Sequence, residues 1–149
     1  MFDILKKYNN NGYFDFEPDD RLVSVCNAPT NKSGVYLIWD STSKENQELL
    51  YIGRSGRKEN GVIIHRKAGL GGIKDRLVNG HQFGKLPRKR IWPTVMLESG
   101  IKKLTINWFD TENDDPIEVE RLLLDEYHHV SGSNPIWNKY SPMNSQLID

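Results

Sequence analysis

Gly34-Val35-Tyr36-Leu37-Ile38-Trp39 and Leu49-Leu50-Tyr51-Ile52-Gly53 are the stretches whose reading decides the fold. Both are runs of strand-forming residues, and the segment from Asp40 to Glu48 between them is polar, with Ser, Thr, Lys and Asn. Two such runs around a turn-rich segment predict an antiparallel hairpin. Side chains alternate faces along a strand, so Tyr36 shares a face with Ile38, and Tyr51 shares one with Gly53. The hairpin holds two phenols near one another, beside a glycine that leaves room for a ligand. By itself such a pair reads as two core tyrosines in an ordinary hairpin, and the residues that follow change that reading.

Outward from the hairpin, the elements are short. Ile4 to Tyr8 reads as a helical turn or two, and Asn9-Asn10-Asn11-Gly12 and Glu17-Pro18-Asp19-Asp20 read as turns. Arg21 to Cys26 alternates as a short strand would. Arg54 to Leu70 reads as a long, glycine-containing charged loop, with a short strand at Val62-Ile63-Ile64. Ile73 to Val78 predicts a short helix closed near Asn79-Gly80, with Ile73 and Leu77 facing the core and Arg76 bordering that face. Pro87 starts a helix through Met96. Lys103 to Phe109 predicts a strand with Leu104, Ile106 and Trp108 on one face, and Trp92 and Trp108 read as packing residues. Asn113-Asp114-Asp115-Pro116 predicts the cap of a helix from Ile117 to about Val130. Its apolar stripe is Val119, Leu122, Leu123, Tyr127 and Val130, and Gly132 stops it.

A chain of 149 residues is enough for one domain with a real core. Its ordinary apolar and charged fractions, 37% and 27%, exclude wholesale disorder. No apolar run approaches the roughly 20 residues of a membrane span, and Met1 to Lys7 lacks the basic-then-apolar order of a leader peptide. Cys26 is the single cysteine, which excludes an intramolecular disulfide and a cysteine-based metal site. The four histidines lack the His-x-x-x-His spacing of a zinc site. The expected location is intracellular and cytoplasmic.

The net charge of zero hides a segregation. Residues 51–90 carry 11 Lys and Arg against Glu59 and Asp75, a net of +9, while residues 1–50 carry −3 and residues 91–149 carry −6. A central stretch this basic points to a face for anions, or to a surface that pairs with the acidic C-terminal third. Acidic side chains there are also candidate metal ligands, and metal with basic side chains is what phosphodiester chemistry needs.

In order, the chain offers Gly-Val-Tyr, Tyr-Ile-Gly, an arginine on a following helix, a third strand, a helix carrying glutamate, and Pro-x-Trp-Asn. That ordered set, from Ser33 to Tyr140, resembles a GIY-YIG nuclease domain. The resemblance implies that Tyr36 and Tyr51 are active-site tyrosines and that Arg76 contacts the scissile phosphate. It implies that Asn138 closes the site, that Gly34 and Gly53 are the motif glycines, and that a helix glutamate holds one divalent metal, Mg2+ or Mn2+. Glu120 has the family's following leucines but lies 18 residues before Asn138; Glu126 has the shorter spacing of 12. Glu120 is favoured and Glu126 is the alternative. Fourteen residues separate the tyrosine blocks, which lengthens the turn, and Gly80 stands where the family often has a histidine, with His81 beside it as a substitute.

The expectation is an α/β (α+β) domain, a small and mostly antiparallel sheet of about three core strands flanked by helices. Residues 1–32 form an extension packed on the core, 33–140 the nuclease-like domain and 141–149 a tail. The implied activity is metal-dependent endonucleolytic hydrolysis of DNA, with Tyr36 as the base and Tyr51 positioning water or phosphate. The alternative is an inactive nucleic-acid-binding module of the same fold. Arg54, Arg66, Lys67, Arg88, Lys89, Arg90 and His81 are candidate contacts to nucleic acid. With no separate sequence-reading domain, specificity falls to the 54–70 loop, the N-terminal segment, a homodimer or a partner protein.

Overall fold

The computed structural model describes residues 1–140; the expected tail at 141–149 lies outside the described residues. After a 3-10 turn at Asp3–Lys7, the chain forms β1 (Asn11–Phe16), α1 (Leu22–Val25), β2 (Gly34–Asp40) and β3 (Glu48–Ser55). A small hairpin of β4 (Arg57–Glu59) and β5 (Val62–Ile64) leads to α2 (Gly72–Asn79) and α3 (Arg88–Ser99). β6 (Leu104–Asp110), α4 (Pro116–Ser131) and a 3-10 turn at Ile136–Tyr140 complete it. The main sheet has the order β1-β6-β2-β3 and is antiparallel throughout.

The expected hairpin is β2–β3, with Tyr36 opposite Gly53 and Ile38 opposite Tyr51. A bulge follows, where Trp39 pairs with Leu49 and Leu50 is left over. The extra residue breaks the alternation, so Leu50 and Tyr51 both enter the core on the Tyr36 face. That face is covered by α1, α2 and α3 through Leu22, Ile73, Leu77, Trp92 and Met96. The opposite face, with Val35, Leu37, Leu49 and Ile52, packs under α4 and the N-terminal turn.

Several expectations change. The sheet has four strands, because β1 pairs along its whole length with β6 and buries Phe14 and Phe16. Part of the N-terminal segment is therefore built into the core rather than laid on it. The expected strand at Arg21–Cys26 is a helical turn: Leu22 and Cys26 are buried while Ser24 between them is exposed, whereas a strand would put all three on one face, and the Cys26 N–H donates to the Leu22 carbonyl at 2.9 Å. The 54–70 loop contains a hairpin whose tip, Asn60-Gly61, has φ of 51° and 79° as a type I′ turn demands. α4 has the expected Asp115 cap, whose side chain accepts from the Ile117 N–H at 3.0 Å. Its buried stripe is narrower than expected, Val119 and Leu123 with Tyr127 half-buried, while Leu122 and Val130 remain exposed. One helix face meets the sheet, and those two residues lie off it.

Gly34 explains why the hairpin must begin with glycine. A Cβ there would lie 1.8 Å from the Phe109 carbonyl oxygen of the neighbouring strand. Gly34→Ala is expected to lower stability by about 3 kcal/mol, the upper end of overpacking effects, in a urea titration.

Candidate active site

The two tyrosine rings meet over Gly53. Their centroids are 6.2 Å apart with planes inclined by 30°. A Cβ on Gly53 would come within 2.6 Å of both rings, so the space this glycine leaves is filled by the phenols themselves rather than by a ligand. Tyr36 is fully buried, and its Oη has no hydrogen-bond partner among the described residues.

Arg88 lies against this pair. It has no exposed surface, although the basic run around it reads as a surface contact to nucleic acid. Its guanidinium carbon is 5.2 Å from the Tyr36 ring centroid, 5.5 Å from that of Tyr51 and 5.8 Å from that of Trp92. Nε donates to Gln82 Oε1 at 2.9 Å, and the same oxygen accepts from Trp92 Nε1 at 3.1 Å. Nη1 donates to the Arg76 carbonyl at 2.7 Å. The reason is helical geometry: Arg88, Trp92 and Met96 follow one another at intervals of four and form the buried stripe of α3. That spacing is visible in the sequence and is the signal that marks Arg88 as inward-facing. Gln82 and Gly80 carry no such signal. A Cβ on Gly80 would lie 2.2 Å from the Arg76 carbonyl oxygen and 2.8 Å from Arg88 Nη1.

Arg76 is buried on α2, whose ends are tied down on both sides. At its start, the N–H groups of Gly72, Ile73 and Lys74 donate to the carbonyls of Arg66, Lys32 and Pro29. These are donors that a helix terminus leaves over, so that end is occupied by protein rather than open to an anion. In the middle, buried Asp75 accepts from Asn79 Nδ2 at 2.7 Å, Leu70 N–H at 2.9 Å and Arg66 Nε at 2.8 Å. Burial alone would push the Asp75 carboxyl up, but these donors and the Arg66 charge outweigh it and hold the group below the ordinary aspartate range. Arg66 is therefore a buried structural partner of Asp75 and not a surface contact for nucleic acid.

The two glutamates separate. Six positions along a helix are about 9 Å of rise and about 120° of rotation, so Glu120 and Glu126 serve different neighbours. Glu120 faces Arg54 of β3, with Arg54 Nε 3.7 Å from its carboxylate. Glu126 accepts from the Phe2 N–H at 2.8 Å and so anchors the N-terminal segment. Arg54 is itself buried and donates to the Gly56 carbonyl at 3.2 Å. Asn138 reaches β3 between the motif residues: its Oδ1 accepts from the Ile52 N–H and its Nδ2 donates to the Ile52 carbonyl, both at 3.0 Å. The side chain thus supplies the pairing that an edge strand lacks.

His81 is half-buried, with Nδ1 3.1 Å from the Gly84 carbonyl inside its own turn. Lys67, Lys89 and Arg90 are exposed as expected, and the latter two border a recess of about 480 Å³ with Arg21. A wider apolar recess of about 710 Å³ lies on the other face of the sheet, beside the N-terminal turn, and none of the candidate site residues lines it. No three metal-ligating side chains cluster among the described residues, so a metal held at Glu120 would take its remaining ligands from water and substrate oxygens, as Mg2+ does. Comparison of the chain with family models, with characterised proteins and with solved structures gave no match.

Asn138→Ala, which removes both partners of Ile52, is expected to lower stability by about 1–3 kcal/mol in chemical denaturation. The folded-state Asp75 carboxyl titrates below its unfolded value, so its stabilising contribution is complete above that value and is lost as pH falls through the folded one. The stability difference between wild type and Asp75→Asn is therefore expected to be constant at neutral pH. It should shrink below about pH 4, the ordinary aspartate value, in parallel denaturation curves.

Proposed function

We propose that this protein is a metal-dependent endonuclease that hydrolyses phosphodiester bonds in DNA. The observation that carries the reading is the chemical character of the tyrosine cluster. Two phenols lie under the buried Arg88 guanidinium, which also donates to the backbone carbonyl of Arg76, a second buried arginine on α2. The unpartnered buried polar atoms here include Tyr36 Oη, Gln82 Nε2 and Arg88 Nη2, all able to donate hydrogen bonds. A site rich in donors and positive charge is complementary to phosphate oxygens.

In this reading Arg76 neutralises charge at the scissile phosphate and Glu120, an oxygen ligand at the edge strand, holds the divalent ion. When bound, that ion supplies Lewis acidity at the phosphate. Arg54 beside Glu120 adds positive potential, and exposed Lys67, Lys89 and Arg90 hold the nucleic-acid backbone without reading its sequence. Glu126, committed to the Phe2 N–H, has a structural role.

One observation favours a second reading, a nucleic-acid-binding module that does not cleave. Tyr36 Oη is sealed from solvent, and a base that activates water must reach that water. The two readings separate in a plasmid-nicking assay with Mg2+. A cleaving enzyme is expected to lose at least about 100-fold in rate on Tyr36→Phe, the scale of general-base loss, and on Arg76→Ala. Glu120→Gln should abolish the metal-dependent rate and Glu126→Gln should preserve it. Retained DNA binding with no cleavage by wild type would leave the binding module. Tyr36→Phe deletes an unpartnered buried hydroxyl, so its melting temperature is expected to equal or exceed that of wild type.

A further inference from the structure

Arg88 sits at the centre of the cluster, outside the set of residues that the nuclease resemblance assigns. It is a cation with no exposed surface, and no ion pair joins it to a carboxylate among the described residues. A buried charge without a counter-ion persists only when dipoles and aromatic faces around it are aimed at it. Here those groups are the faces of Tyr36, Tyr51 and Trp92, the Gln82 side-chain oxygen and the Arg76 carbonyl. The Arg88 backbone N–H also donates to the Gly80 carbonyl at 2.9 Å, so Arg88 grips the end of α2 by main chain and side chain together.

We propose that Arg88 is the positioning residue of this site: one guanidinium that sets the two tyrosine rings against each other and against the α2 turn carrying Arg76. Three separate elements, the β2–β3 hairpin, α2 and α3, meet at this one side chain. Guanidinium suits the task because its planar fork donates in fixed directions while its faces stack on aromatic rings. An ammonium in the same place keeps the charge and loses the fork. Gly80 completes the arrangement, because a side chain there would occupy the path of Nη1 to the Arg76 carbonyl. The consequence for cleavage rests on the nuclease reading, whereas the placement of the rings does not.

The test uses the full chain as wild type, Arg88→Lys and Arg88→Met, labelled with 3-fluorotyrosine for 19F NMR and assayed for plasmid nicking over a range of DNA concentrations. Both variants are expected to move the Tyr36 and Tyr51 resonances and to leave those of Tyr8, Tyr13 and Tyr127 in place. The expected kinetic effect is a fall in kcat of about 100-fold in Arg88→Met with KM unchanged, the signature of misplaced reacting groups, and a smaller fall in Arg88→Lys. If Arg88→Met does not fold, Arg88→Lys decides alone. Unmoved Tyr36 and Tyr51 resonances, shifts spread equally over all tyrosines, or a loss confined to KM would each overturn the proposal. Wild-type protein that cleaves no DNA would overturn the nuclease reading, and the resonances would still decide whether Arg88 places the rings.

Discussion

A positive charge buried without a carboxylate is the constraint on which the rest of this structure depends. Taking Arg88 out of water is expensive, and only converging dipoles and aromatic faces offset it. That requirement reaches outward through the fold. Gln82 must turn its oxygen inward, where it serves Arg88 and Trp92 at once. Gly80 must lack a side chain, and the Arg76 carbonyl must end its helix within reach of Nη1. Gly53 must be bare for the two tyrosine rings to come together beneath the guanidinium.

The chain then commits its other polar groups to holding the cluster's supports still. α2 has its leading N–H groups taken by carbonyls of the 29–32 segment and of Arg66, and Asp75 ties its middle to the preceding loop. β3 is an edge strand, and Asn138 covers it at Ile52, between Tyr51 and Gly53. Plain alternation puts Tyr51 on the Tyr36 face, and the bulge at Leu50 adds that side chain to the same face beside it. Tyr51, Arg76 and Gly53 thereby hang on backbone that is bonded on both sides, which is how a constellation from several elements keeps its geometry.

Much of the fold was legible because it follows from periodicity and turn chemistry. The β2–β3 hairpin, the β6 strand, the Asp115 cap and the Gly80 and Gly132 helix ends each announce themselves within a few residues. β1 did not, because Asn11-Gly12 reads as a turn and only the pairing with β6 extends it. The basic residues were the least legible part of the site. Charge in a sequence implies solvent, yet Arg54, Arg66 and Arg88 are all buried. Lys67, Lys89 and Arg90, of the same character and a few residues away, are exposed.

By itself the sequence determined the β2–β3 hairpin, the β6 strand and the helices α2, α3 and α4, the sharing of a face by Tyr36 and Ile38, and the presence of Arg76 and Glu120 on helices after the hairpin. These are consequences of local spacing, which any short window of the chain contains. Only the tertiary structure decided that Arg54 and Arg66 are buried, which glutamate turns toward β3, and that Asn138 finishes the edge of the sheet. Each of those depends on what another element, far away in the sequence, offers to a charge or a backbone group once water has been removed. Long-range packing supplies that environment, and no local pattern encodes it.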